Sequence, residues 1–137
     1  MPRIAANDNR VYDVSLTCAD SLAWCTMGEP RGVLQQLMAV IEERKRNPPP
    51  RSYTSSLFQG GVQKIGEKIL EEAAEVVEAA GEPDPAGREH LLQEAGDLLY
   101  HLLVLLAYRE ASLADVEAIL AARFGVSGLD EKESRPR

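Results

Sequence analysis

The chain has 137 residues, a formal net charge of -7, 45% hydrophobic residues and only 5% aromatic ones. That length gives one domain with a core of moderate size and leaves no room for a second catalytic domain. An apolar content made mostly of Leu, Ala, Val and Ile suits helices, so the expectation is an all-α protein, and the acidic balance argues against a nucleic-acid partner.

Residues 1–30 are weakly patterned and read as an extension with little regular structure of its own. Asp8, Arg10, Asp13 and Asp20 interrupt its apolar content, so no signal peptide is expected there. Cys18 and Cys25 have no partners at zinc-like spacing and read as reduced bystanders, in keeping with a cytoplasmic protein. From Arg31 the pattern sharpens. Val33, Leu34, Leu37, Met38 and Ile41 recur at helical spacing, Arg44, Lys45 and Arg46 suit the negative end of the helix dipole, and Asn47-Pro48-Pro49-Pro50 ends the helix.

Arg51 to Ser56 read as a polar loop that offers several N-caps to a second helix running to about Ala80. Its expected apolar stripe is Phe58, Val62, Ile65, Ile69, Ala73, Val76 and Ala80, with Lys64, Lys68, Glu71, Glu72, Glu75 and Glu78 on the other side. At about 100° per residue, Glu72 falls nearest the apolar border. After the break Gly81-Glu82-Pro83-Asp84-Pro85, a third helix begins near Arg88, and thirteen of the eighteen residues from Leu91 to Tyr108 are apolar. This helix is apolar nearly all round, so it is central, and one short chain has too few other helices to cover it; a homodimer is expected. The run is too short and too polar to span a bilayer. Ser112 with Asp115 reads as a capping box opening a fourth helix that ends at Gly125, with Leu113, Val116, Ile119 or Leu120, and Phe124 as its apolar face. Residues 31–125 thus make the domain and 126–137 a polar tail containing Lys132.

The chemistry concentrates in five carboxylates: Glu71, Glu72 and Glu75, then Glu94 and Asp97 after eighteen intervening residues. Residues three and four apart share a helical face, so the two helices present two clusters that can oppose each other. Glu94 and Asp97 interrupt a run dominated by Leu and Ala, where acids are rare unless paired or metal-bound. Crowded like charges need a positive counterpart, and Mg²⁺ fits, since it takes carboxylate oxygens and keeps positions for water or phosphate. His90, Glu94, Asp97 and His101 form one polar stripe at offsets of four, three and four. A lone buried His is more often hydrogen-bonded than ligating, and an all-oxygen set does not require His101. Lys64 and Lys68 read equally as helix-pairing residues and as phosphate contacts.

Glu71-Glu72-Ala73-Ala74-Glu75 followed by Glu94-Ala95-Gly96-Asp97 resembles the signature of the MazG-like all-α nucleotide pyrophosphohydrolases. The flanks Asn47-Pro48-Pro49, Ser52-Tyr53-Thr54, Lys64-Ile65, Asp97-Leu98-Leu99-Tyr100-His101 and Phe124-Gly125-Val126-Ser127-Gly128-Leu129 are similar to the phosphoribosyl-ATP pyrophosphohydrolase family within that group. The sequence departs from that pattern at Ser56, Glu67 and Leu70, none of them among the five acids. The resemblance implies a MazG-like bundle of four to five helices that dimerises. It also implies Mg²⁺-dependent hydrolysis of phosphoribosyl-ATP to phosphoribosyl-AMP and pyrophosphate, the second step of histidine biosynthesis, in the form that stands alone from the cyclohydrolase. On that reading Glu72, Glu75, Glu94 and Asp97 hold the metal, Glu71 orients or deprotonates the attacking water, and Tyr53, Thr54, Lys64, Lys68 and Lys132 contact substrate. Two alternatives remain at this point: a MazG-like enzyme that clears non-standard nucleoside triphosphates, and a non-catalytic helical interaction module with a solvated acidic face.

Overall fold

A computed structural model describes residues 32–124. The expectations for the N-terminal extension, Cys18, Cys25, Gly125, Lys132 and the tail lie outside the described residues. Among these residues there are four helices and no strand: α1 (Val33–Arg46), α2 (Tyr53–Ala80), α3 (Ala86–Tyr108) and α4 (Leu113–Ala122). The all-α expectation holds.

Helix ends follow local chemistry. α1 closes on Arg44, Lys45 and Arg46, and the Asn47 backbone N–H donates to the Glu43 carbonyl at 2.8 Å. Ser52 caps α2 by accepting the Ser55 N–H at 3.2 Å, so Tyr53 and Thr54 belong to the first helical turn instead of a loop. At α4 the capping box forms as expected: the Asp115 N–H donates to Ser112 Oγ at 3.2 Å and the Ser112 N–H to Asp115 Oδ2 at 2.8 Å.

α3 is the central element, packed along α2 on one side and against α1 on another. The core where they meet contains Met38, Ile41, Leu57, Ile65, Tyr100, Leu103 and Val104. Lys45 ties the ends of α1 and α3 together, donating to the Ala107 carbonyl at 2.7 Å and pairing with Glu110. A cation at the exposed carbonyls of a helix C-terminus is favourably placed.

Two further sequence expectations are corrected. α2 is kinked at Gly61, whose φ of 66° and ψ of -162° lie outside helical values. The positive φ suits glycine, and a Cβ there would stand 3.3 Å from the Tyr108 hydroxyl. The kink breaks the phase of the expected stripe, so Leu57 and Ile65 are buried on either side of it while Val62 is 50% exposed. The apolar face expected for α4 is covered only at its start: Leu113 and Val116 are half-buried, whereas Ile119 and Leu120 are exposed and Phe124 is 82% exposed. The substantial packing of α4 is against α1, and only its first residue, Leu113, reaches the core.

Candidate metal centre

The second half of α2 and the first half of α3, joined by the five-residue turn 81–85, bring acids together across the helix pair. Glu72 is fully buried because it continues the inward line of Ile65 and Ile69 at helical spacing. Glu75 lies one turn on, and Glu94 faces it from α3. One carboxylate oxygen from each of Glu72, Glu75 and Glu94 can be chosen so that all three lie within 4.8 Å of one another. Asp97, half-buried and three residues after Glu94, is not in that group of three, and Glu71 is exposed.

Electrostatics explain how three acids coexist there. Lys68 Nζ stands 3.2 Å from Glu72 Oε1 and 2.6 Å from Glu71 Oε2, so it realises the helix pairing expected at offsets three and four. Burial, followed by the hydrogen bond and charge of Glu94 and those of Glu72, pushes the Glu75 carboxyl up to about 7. A proton on Glu75 lets carboxyls share hydrogen bonds where carboxylates would repel. Glu94 Oε1 lies 3.2 Å from His90 Nε2, whereas its buried Oε2 has no hydrogen-bond partner among the described residues.

His101 is fully buried and 4.0 Å from Glu72 Oε1. Its Nδ1–H donates to the Asp97 carbonyl at 2.8 Å, because a carbonyl only accepts. Burial lowers its pKa, so in the neutral ring Nε2 is the acceptor of a hydrogen bond that the Tyr53 hydroxyl donates at 3.1 Å. Thr54 is buried against Tyr100, their hydroxyls 2.5 Å apart, and burial raises the Tyr100 phenol to about 12. Tyr53 and Thr54, expected as substrate contacts, therefore engage the helix that carries Glu94. Lys64 is exposed, with Nζ donating to the Ser56 carbonyl at 3.3 Å. The Tyr53–His101 bond spans 48 positions in sequence, and only the stripe at offsets of four, three and four hinted that His101 faced the acids.

The arrangement suits a hard dication: a compact oxygen set, a buried Glu94 oxygen without a hydrogen bond among the described residues, and a carboxyl that a cation would ionise. It also makes a pH prediction. Between its ordinary 4.5 and about 7, Glu75 keeps a proton in the folded protein that the unfolded chain has lost. Stability contributed through Glu75 therefore falls as pH rises across that window. Without metal, Glu75→Gln should raise the melting temperature more at pH 8 than at pH 5. An equal shift at both pH values would contradict the protonated carboxyl.

The family model for phosphoribosyl-ATP pyrophosphohydrolase matches residues 34–124, a span that includes Glu71, Glu72, Glu75, Glu94 and Asp97. A protein from Rhodopirellula baltica named phosphoribosyl-ATP pyrophosphatase is 53% identical over 103 residues, 75% of this chain and 86% of the relative. Proteins of the same name from a Jannaschia species and from Geobacter metallireducens are 49% and 44% identical, over 74% and 81% of this chain and 97% and 99% of their own lengths. By this match over most of its length, the chain belongs to the phosphoribosyl-ATP pyrophosphohydrolase family.

Proposed function

We propose that this chain hydrolyses phosphoribosyl-ATP to phosphoribosyl-AMP and pyrophosphate, the second step of histidine biosynthesis, using Mg²⁺ at the acidic centre. The observation that carries the reading is the convergence of Glu72, Glu75 and Glu94 oxygens within 4.8 Å, inside the span that matches the family. Mg²⁺ held there would neutralise triphosphate charge and lower the pKa of a bound water. Glu72, Glu75 and Glu94 supply the ligands, and Asp97, three residues from Glu94 on the same helical face, completes the set. Glu71, exposed at the rim, orients or deprotonates the attacking water. Lys68 holds Glu71 and Glu72 in place, with Nζ at 2.6 and 3.2 Å, and lends positive charge to the phosphates. Lys64 and Lys132 serve the substrate's other phosphate, and Tyr53 and Thr54 shape the entry from the start of α2.

The catalytic domain in this reading spans residues 31–125, flanked by the extension 1–30 and the tail 126–137. On this reading the enzyme works in the cytoplasm. No described helix is long and apolar enough to cross a membrane. Leu92, Leu99 and Leu102 on α3 and Leu70 and Val77 on α2 are exposed, an apolar surface that a second copy of the chain would cover. The protein is therefore expected to sediment as a homodimer, and a stable monomer at micromolar concentration would contradict this. For the reaction itself, phosphoribosyl-ATP with Mg²⁺ should yield phosphoribosyl-AMP and pyrophosphate in equal amounts. Release of orthophosphate in place of pyrophosphate would rule out the proposed bond.

A further inference from the structure

His90 borders the acidic centre and has no part in the chemistry above. It lies in α3 one turn before Glu94, with Nε2 3.2 Å from Glu94 Oε1. Its other ring nitrogen, Nδ1, is 3.0 Å from Oε1 of Glu82, in the turn that joins α2 to α3. Nδ1 lies at hydrogen-bond distance from Glu82 and Nε2 at ion-pair distance from Glu94, so the one ring bridges the two side chains.

The backbone is built to bring Glu82 there. Gly87 is buried, its N–H donates to the Pro83 carbonyl at 3.0 Å, and a Cβ at this position would stand 2.5 Å from the Glu82 carbonyl oxygen. Only the missing side chain at Gly87 lets the turn close this tightly over the start of α3. The result at Glu94 is asymmetric: Oε1 faces His90 at 3.2 Å, whereas Oε2 is buried with no hydrogen-bond partner among the described residues. A carboxylate anchored through one oxygen keeps the other aimed in one direction, the service that hydrogen-bond partners behind a metal ligand perform.

We propose that Glu82 and His90 form a relay that fixes the orientation of Glu94, with His90 as a positioning residue for the acidic centre and Glu82 holding His90. The relay rests on the metal-centre reading given above. It touches neither substrate nor metal, so its effect should appear in metal affinity before any turnover is measured.

The test is calorimetric titration of Mg²⁺ into the full-length protein and its His90→Ala, Glu82→Ala, double and His90→Gln variants. His90→Ala should weaken Mg²⁺ binding about tenfold, as loss of a partner behind a ligand does. Glu82→Ala should weaken it less and add nothing to His90→Ala in the double variant, because Glu82 acts through His90. His90→Gln, whose amide still donates to Glu94, should recover part of the loss. Unchanged affinity in His90→Ala, or additive losses in the double variant, would overturn the relay. If His90→Ala does not fold, Glu82→Ala on the exposed turn decides, and unchanged affinity there overturns it equally. Absence of Mg²⁺ binding by the unaltered protein would overturn the metal-centre reading beneath the relay, a failure seen in a different sample.

Discussion

Glu75→Gln should lower turnover by about two orders of magnitude or more while the helices remain folded. The substitution keeps side-chain size and removes the charge a dication needs, and a few kcal/mol of lost transition-state stabilisation is worth about 100-fold in rate. Stability should survive or rise, because the Glu75 carboxyl is already strained upward to about 7 by burial and by Glu94 and Glu72. Asp97→Asn should act in the same direction from the facing helix, and it probes the one proposed ligand that lies outside the close group of three. Near-normal activity of either variant at saturating Mg²⁺, with circular dichroism unchanged, would show that the carboxylate in question holds no metal.

The second large effect concerns substrate choice. Phosphoribosyl-ATP carries a phosphorylated ribose that ATP lacks, and binding energy from a remote group can align the reacting triphosphate. Lys64→Ala should therefore reduce kcat/KM for phosphoribosyl-ATP by about tenfold, the worth of one charge-assisted hydrogen bond, and leave weak ATP hydrolysis nearly unchanged. Lys64 is the apt choice because its ammonium is exposed and, among the described residues, bonds to Ser56. Lys68 is held by Glu71 and Glu72, so its loss should reduce both substrates alike. Equal losses for both substrates in Lys64→Ala would remove Lys64 from recognition of the second phosphate.

Much of this was legible because it is local. Helix ends at Asn47, Ser52 and Ser112 follow from residues within four positions of each cap, and the buried position of Glu72 follows from its place at the apolar border. The features that escaped are those set by partners far along the chain or by backbone. Gly61 reads as an ordinary helical residue until Tyr108 and a positive φ are seen together. Tyr53 and Thr54 read as loop residues because their partners, His101 and Tyr100, lie 48 and 46 positions away. The face expected for α4 is a pattern that, among the described residues, α1 covers only at its start. Which acids converge depends on how α2 and α3 are set against each other, a distance that spacing along one helix does not contain.

The central claim is the identity of the bond cleaved and of the molecule that carries it. The most direct measurement is pyrophosphate release at saturating Mg²⁺ from phosphoribosyl-ATP, run beside ATP, dUTP, dCTP and an oxidised nucleotide. The account predicts rapid release from phosphoribosyl-ATP and weak release from ATP. Efficient cleavage of dUTP, dCTP or the oxidised nucleotide, with none of phosphoribosyl-ATP, would contradict it.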